Sequence, residues 1–180
     1  MSFYAPEASL INYRICVASP NAKTLASLFE EWAMQMDTEF EPKHKSRLKF
    51  VFDSKNKVSK GAKGWLSATI GTRGSLGIRI SFVGYDLSTS FPDDDILRRM
   101  DALWAISDPK DTRSSEILRL GKSTAPIEIP SMLVFLDKKR DTFDQKALSL
   151  WAERNTRPCI AHYGREKTLQ KGLEWALSFS

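Results

Sequence analysis

The sequence predicts an α/β protein built on a mixed sheet, an α+β arrangement in part, and three patterns carry that expectation. Apolar residues recur at helical spacing over 20–36 (Leu25, Leu28, Phe29, Trp32 and Met36). They alternate at strand period over much of 47–82. From Ile127 onward the patterns run strand, helix, strand, helix.

In chain order, residues 12–17 read as a first strand. Ser19-Pro20 then supplies a helix cap followed by proline at the first helical position. The helix over 20–36 is amphipathic, and its stripe reads as core. Residues 47–52 alternate with Leu48, Phe50 and Phe52 on one face, and 65–70 and 76–82 are the expected partners, forming an antiparallel meander. The glycines of Gly71-Thr72-Arg73-Gly74-Ser75-Leu76-Gly77 lack dinucleotide-binding spacing and read as a hairpin turn. Pro92 with Asp93-Asp94-Asp95 opens a helix carrying Ile96, Met100 and Leu103 on one face, with Leu97 and Trp104 beside it. The three aspartates complement the positive helix end; consecutive helical residues point about 100° apart and do not converge on one ion. Asp108-Pro109-Lys110-Asp111 is a turn, dividing an N-terminal α/β portion (1–110) from a second portion (111–180) expected to pack with it as one unit. Strand 127–133, a helix opened by the Thr142-Phe143-Asp144-Gln145 capping box, a strand over 157–163 and a final helix from Gly164 complete the chain.

The inventory excludes several chemistries. With only His44 and His162 there is no histidine-rich metal centre, and no Gly-x-Ser-x-Gly elbow supports a serine triad. Gly121-Lys122-Ser123-Thr124 resembles the end of a P-loop, but the spacing demands glycine where Glu116 stands. Cys16 and Cys159 make neither a disulfide framework nor a Cys-x-x-Cys zinc pair. No secretory leader and no membrane-length apolar run is visible, so the expectation is a cytoplasmic protein without membrane insertion.

Charge is unevenly distributed beneath the net +5. Residues 43–79 hold ten Lys or Arg against the single acid Asp53, whereas 80–137 hold ten acids against six bases. A block this basic suits a polyanion, and DNA is the natural partner; the alternative is a solvated lysine-rich loop. Lys43, Lys45, Arg47 and Lys49 would share one strand face, opposite Leu48 and Phe50. Lys55, Lys57, Lys60 and Lys63 lie on the first meander connection, Arg73 in the next turn, and Arg79 away from the Ile78/Ile80 face. Such cations would hold a phosphate backbone without reading bases.

At Gly164 the chain passes from strand to helix. The first helix amides, with Arg165, Lys167 and Thr168, would form an anion site; the alternative is an ordinary helix start with a basic first turn.

The segment 125–177 resembles the ParB/sulfiredoxin superfamily. Phe143-Asp144-Gln145-Lys146-Ala147-Leu148-Ser149-Leu150-Trp151-Ala152-Glu153-Arg154 is similar to its conserved-pattern helix, and Arg157-Pro158-Cys159-Ile160 to the strand that follows. Gly164-Arg165-Glu166-Lys167 stands where the family has Gly-Glu-Arg-Arg, with Arg and Glu exchanged and Lys in place of the last Arg. Cys159 does not follow Gly164, which separates the chain from the redox branch. The resemblance implies a ParB/sulfiredoxin-like β-α-β-α unit and nucleotide bound at Gly164, Arg165, Lys167 and Thr168. It also implies Mg2+ and ATP as cofactors, and DNA cleavage with ATP hydrolysis. Size and the added N-terminal portion look like the plasmid fertility-inhibition proteins, which block conjugative or T-DNA transfer. An enzyme of this kind would use Arg165 to neutralise phosphate charge, and Glu166, Glu128 or Asp144 to hold the metal or orient water. The competing expectations are a non-catalytic inhibitor that binds DNA or a conjugation or type IV secretion component, and a protein that uses its acidic 80–137 surface against another protein.

Overall fold

The computed structural model describes residues 11–39, 47–49, 64–70, 78–111, 115–124, 126–137, 142–154 and 159–177. The first half holds β1 (Ile11–Ser19), α1 (Ala22–Glu39), β2 (Arg47–Lys49), β3 (Gly64–Ile70), β4 (Ile78–Asp86), α2 (Asp94–Arg98) and β5 (Ala102–Ser107). The second holds α3 (Glu116–Ser123), β6 (Ser131–Phe135), α4 (Thr142–Arg154), β7 (Cys159–Tyr163) and α5 (Thr168–Leu177).

The strands form one sheet in the order β2-β3-β4-β1-β5-β6-β7. Its body is parallel: β1 pairs with β4 and β5, and β6 with β5 and β7. Helical crossovers make parallel neighbours possible here. Antiparallel pairing is confined to one edge, where β3 joins β2 and β4. The expected antiparallel meander forms at that edge as β2-β3-β4, and what it joins is a parallel sheet. The sheet also runs unbroken past the Asp108–Asp111 turn, since β5 pairs with β6.

Each face of the sheet has its own core. On one side α1 (Leu25, Leu28, Phe29, Trp32) and α5 (Leu169, Leu173) cover Tyr13, Ile15, Val17, Phe82, Trp104 and Met132. On the other, α2, α3 and α4 cover Cys16, Ala18, Val83, Tyr85, Leu103 and Leu133. Helices on both faces of a largely parallel sheet define a doubly wound α/β fold.

The largest correction concerns residues 102–107. The helical face drawn through Met100, Leu103 and Trp104 does not form: α2 ends at Arg98, and β5 follows with all six residues buried. A strand covered on both faces has no alternation to display, so its apolar run reads equally well as helix. Asp93 does cap α2, its Oδ1 accepting from Ile96 N at 2.8 Å. Strand β6 begins at Ser131, not at Ile127; Pro130 has no N–H for a ladder, though its carbonyl accepts from Leu103 N at 2.9 Å.

Candidate functional site

Parallel strands deliver their following loops to one edge of the sheet. Where strand order reverses, adjacent loops part to opposite faces and leave a crevice. Here the reversal lies at β1 and β5, which lead into α1 and α3 on opposite faces. The cap of α1 is Asn21, two residues later than Ser19-Pro20 would place it, because Ser19 still belongs to β1. Asn21 Oδ1 accepts from Thr24 N at 2.7 Å, and Ser19 Oγ donates to the Asn21 carbonyl at 3.0 Å. Across the crevice Asn21 Nδ2 donates to Asp111 and Thr24 Oγ1 donates to Asp108 at 2.9 Å. Asp108 also folds its own loop, accepting from Lys110 N at 3.0 Å. The first turn of α1 contains no acidic residue, so the carboxylates at its positive end come from the β5 loop. Next to Ser19 in register, the buried Asp86 closes the end of β4, its Oδ1 accepting from Ser88 N at 2.9 Å and Ser88 Oγ at 2.6 Å.

The Gly164 turn has a different geometry from the anion site expected of it. Helix α5 starts at Thr168, and residues 164–167 form a separate bend in which Gly164 (φ 93°) and Lys167 (φ 59°) both take positive φ. Glycine adopts that conformation freely; for lysine it costs about 1 kcal/mol. Gly164 N–H donates to the Phe135 carbonyl at 2.7 Å. Thr168 is buried, and its hydroxyl donates to the Arg165 carbonyl at 2.9 Å. Arg165 reaches across to α1, its Nε donating to Glu31 Oε2 at 2.6 Å and a terminal nitrogen to Ser27 Oγ. His162 Nε2 donates to the Glu166 carbonyl at 2.9 Å. The Gly164 amide, the Thr168 hydroxyl and the Arg165 guanidinium, three of the groups expected to cradle phosphate, are therefore engaged within the protein, whereas Lys167 is exposed.

Of the expected catalytic carboxylates, Glu166 lies in this turn and Glu128 does not. Glu128 is exposed and precedes β6, whereas Glu166 follows β7; because those strands are parallel, the two acids belong to opposite ends of the sheet. Asp144 lies in the first turn of α4, beyond the end of β6. Among the described residues no three His, Cys, Asp or Glu side chains group as a metal site. The Cys16 thiol is buried and its pKa is pushed up by loss of solvation, so it is no nucleophile at neutral pH.

The basic strand positions are brought together. Lys43, Lys45, Lys55, Lys57, Lys60, Lys63 and Arg73 lie outside the described residues. Arg47 and Lys49 pair in register with Ser67 and Trp65, and Arg79 with Thr69. Ser67 in turn pairs with Ser81, and Ser81 with Arg14 of β1. Because side chains alternate faces along a strand, Arg14, Arg47, Lys49 and Arg79 occupy positions of one parity over β2, β3, β4 and β1. The opposite parity carries Leu66 and Phe82, buried under α1. On the basic side, helix cover extends over Cys16, Ala18, Val83 and Tyr85 and thins at Arg14 and Ser81, which are half-buried. Arg14 escapes sequence reasoning because it is an isolated cation outside the 43–79 block, and only β1–β4 pairing brings it into line.

No protein-family model matches the chain, and no curated protein matches it. Fold and site together define a doubly wound α/β protein with a basic strand edge and an internally bonded switch point. No helix among the described residues is long and apolar enough to cross a membrane.

Proposed function

We propose that the protein binds nucleic acid, DNA in the first instance, through the amino-terminal half of the β2-β3-β4-β1 sheet face. One observation carries this reading: strand register puts Arg14 of β1, Arg47 and Lys49 of β2 and Arg79 of β4 on one parity of the sheet. A row of cations on a sheet holds a phosphate backbone by neutralisation and counterion release, without reading sequence. The resemblance of residues 125–177 to ParB/sulfiredoxin-type units adds to it, since that resemblance also implies DNA as partner. On this reading a fertility-inhibition activity would act by occupying DNA, and the engaged donors around Gly164 favour a binder over a nucleotide-dependent nuclease.

The test is fluorescence anisotropy with labelled DNA as salt is raised. Affinity should fall steeply, and replacing Arg14, Arg47, Lys49 and Arg79 by Gln should flatten the log–log slope by about one per lost phosphate contact. No binding at low salt, or a slope untouched by the fourfold variant, refutes the reading. Parallel samples with Mg2+ and ATP, read for plasmid nicking and phosphate release, separate a binder from an enzyme.

A further inference from the structure

In nucleotide-binding doubly wound proteins the switch point receives a phosphate at the positive end of the helix that follows the first strand. The corresponding position in this chain is filled from within. We infer that Asp108 and Asp111 occupy the anion position at the N-terminus of α1, closing the crevice to phosphate-bearing ligands and latching the β5 loop to that helix.

Three observations converge on this. Both carboxylates bond first-turn or cap side chains of α1, Asp108 through Thr24 and Asp111 through Asn21. Helix α1 spans 18 residues and has no acid in its own first turn, so its positive end has no other carboxylate on its own turn. The Asn21 side chain is used at both ends, its oxygen capping Thr24 N and its amide holding Asp111. An incoming phosphate would have to displace two hydrogen bonds and then sit beside two like charges. The latch also ties β1 to β5 at the carboxyl edge, where the crossover from β4 separates them in sequence.

The experiment uses inorganic pyrophosphate as probe on the intact chain, with wild type, Asp108→Asn, Asp111→Asn and the double variant compared by thermal unfolding. The amide replacements keep shape and one acceptor oxygen while removing charge. The wild-type midpoint should not respond through this site. The double variant should gain an additional rise of about 3–6 °C at ten times its dissociation constant. Equal response in wild type and variants overturns the inference. Hydrogen exchange on wild type gives an answer that needs no variant to fold: pyrophosphate should leave the amides of residues 22–25 unchanged, and slowed exchange there also overturns it.

Discussion

Replacing Arg165 by Ala distinguishes a structural strap from a phosphate ligand. Its guanidinium joins the bend before α5 to α1 by two hydrogen bonds, one to Glu31 at 2.6 Å and one to Ser27. The Arg165 and Glu31 side chains are 39% and 32% exposed, so the ion pair is well screened and contributes about 0.5 kcal/mol. The hydrogen bond to Ser27 adds about 0.5–1 kcal/mol. Together Arg165→Ala should cost about 1–1.5 kcal/mol and lower the thermal midpoint by about 2–5 °C for a chain of this size. Arg165→Lys should recover only part of this, because a point charge on a flexible stem cannot reproduce the planar fork. In a double-mutant cycle with Glu31→Gln, monitored by urea unfolding, the coupling should be about 0.5 kcal/mol. An unchanged midpoint with no coupling to Glu31, accompanied by a tenfold loss of pyrophosphate or ATP affinity, would refute the strap and restore Arg165 as a ligand.

Two further expectations follow from the cores. A Cβ on Gly172 would lie 2.5 Å from Trp104 Cη2 and Cζ2 and 2.8 Å from Met132 Cε. Gly172→Val should therefore cost about 1–3 kcal/mol by overpacking, and Gly172→Ala less because it gains about 1 kcal/mol of helix propensity; a stabilised Val variant in urea would show that α5 does not sit this close to β5. Alkaline pH should destabilise the fold. Burial, with Asp101 nearby, pushes Tyr13 up to about 12, and burial also raises Cys16 and Tyr85, the latter with smaller contributions from Cys16 and Asp93. These groups ionise more readily when unfolded, so stability present below pH 9 should be lost as pH rises toward 12. A urea midpoint unchanged between pH 8.5 and 11.5 would contradict this.

Legibility in the sequence followed burial geometry. Helix α1 was visible because one stripe (Leu25, Leu28, Phe29, Trp32) is buried and Glu30 is exposed on the other side. The alternation of Ile80 and Phe82 in β4 was visible for the corresponding reason, since both are buried under α1 while Ser81 between them is only half-buried. Strand β5 was hidden because both its faces are covered. Helix α3 was hidden because its eight residues, Glu116–Ser123, bury only Ile117, Leu120 and Gly121, too short a window for a helical period to stand out. At the switch point Asp108 stands directly after its strand and Asn21 two residues after its own, positions that signal edge residues. With β5 read as helix, however, Asp108 had no strand to end.

The sequence by itself determined the α/β alternation, the basic concentration over 43–79 and the exclusion of histidine-rich metal and P-loop chemistry, since these depend on composition and on neighbours a few residues apart. Tertiary structure decided the parallel body of the sheet, the row that adds Arg14 to Arg47, Lys49 and Arg79, and the engagement of Arg165 by α1. It also decided that Asp108 and Asp111 face the start of α1 across more than eighty residues of chain. Register and crossover fix which distant side chains meet, and no local period encodes that.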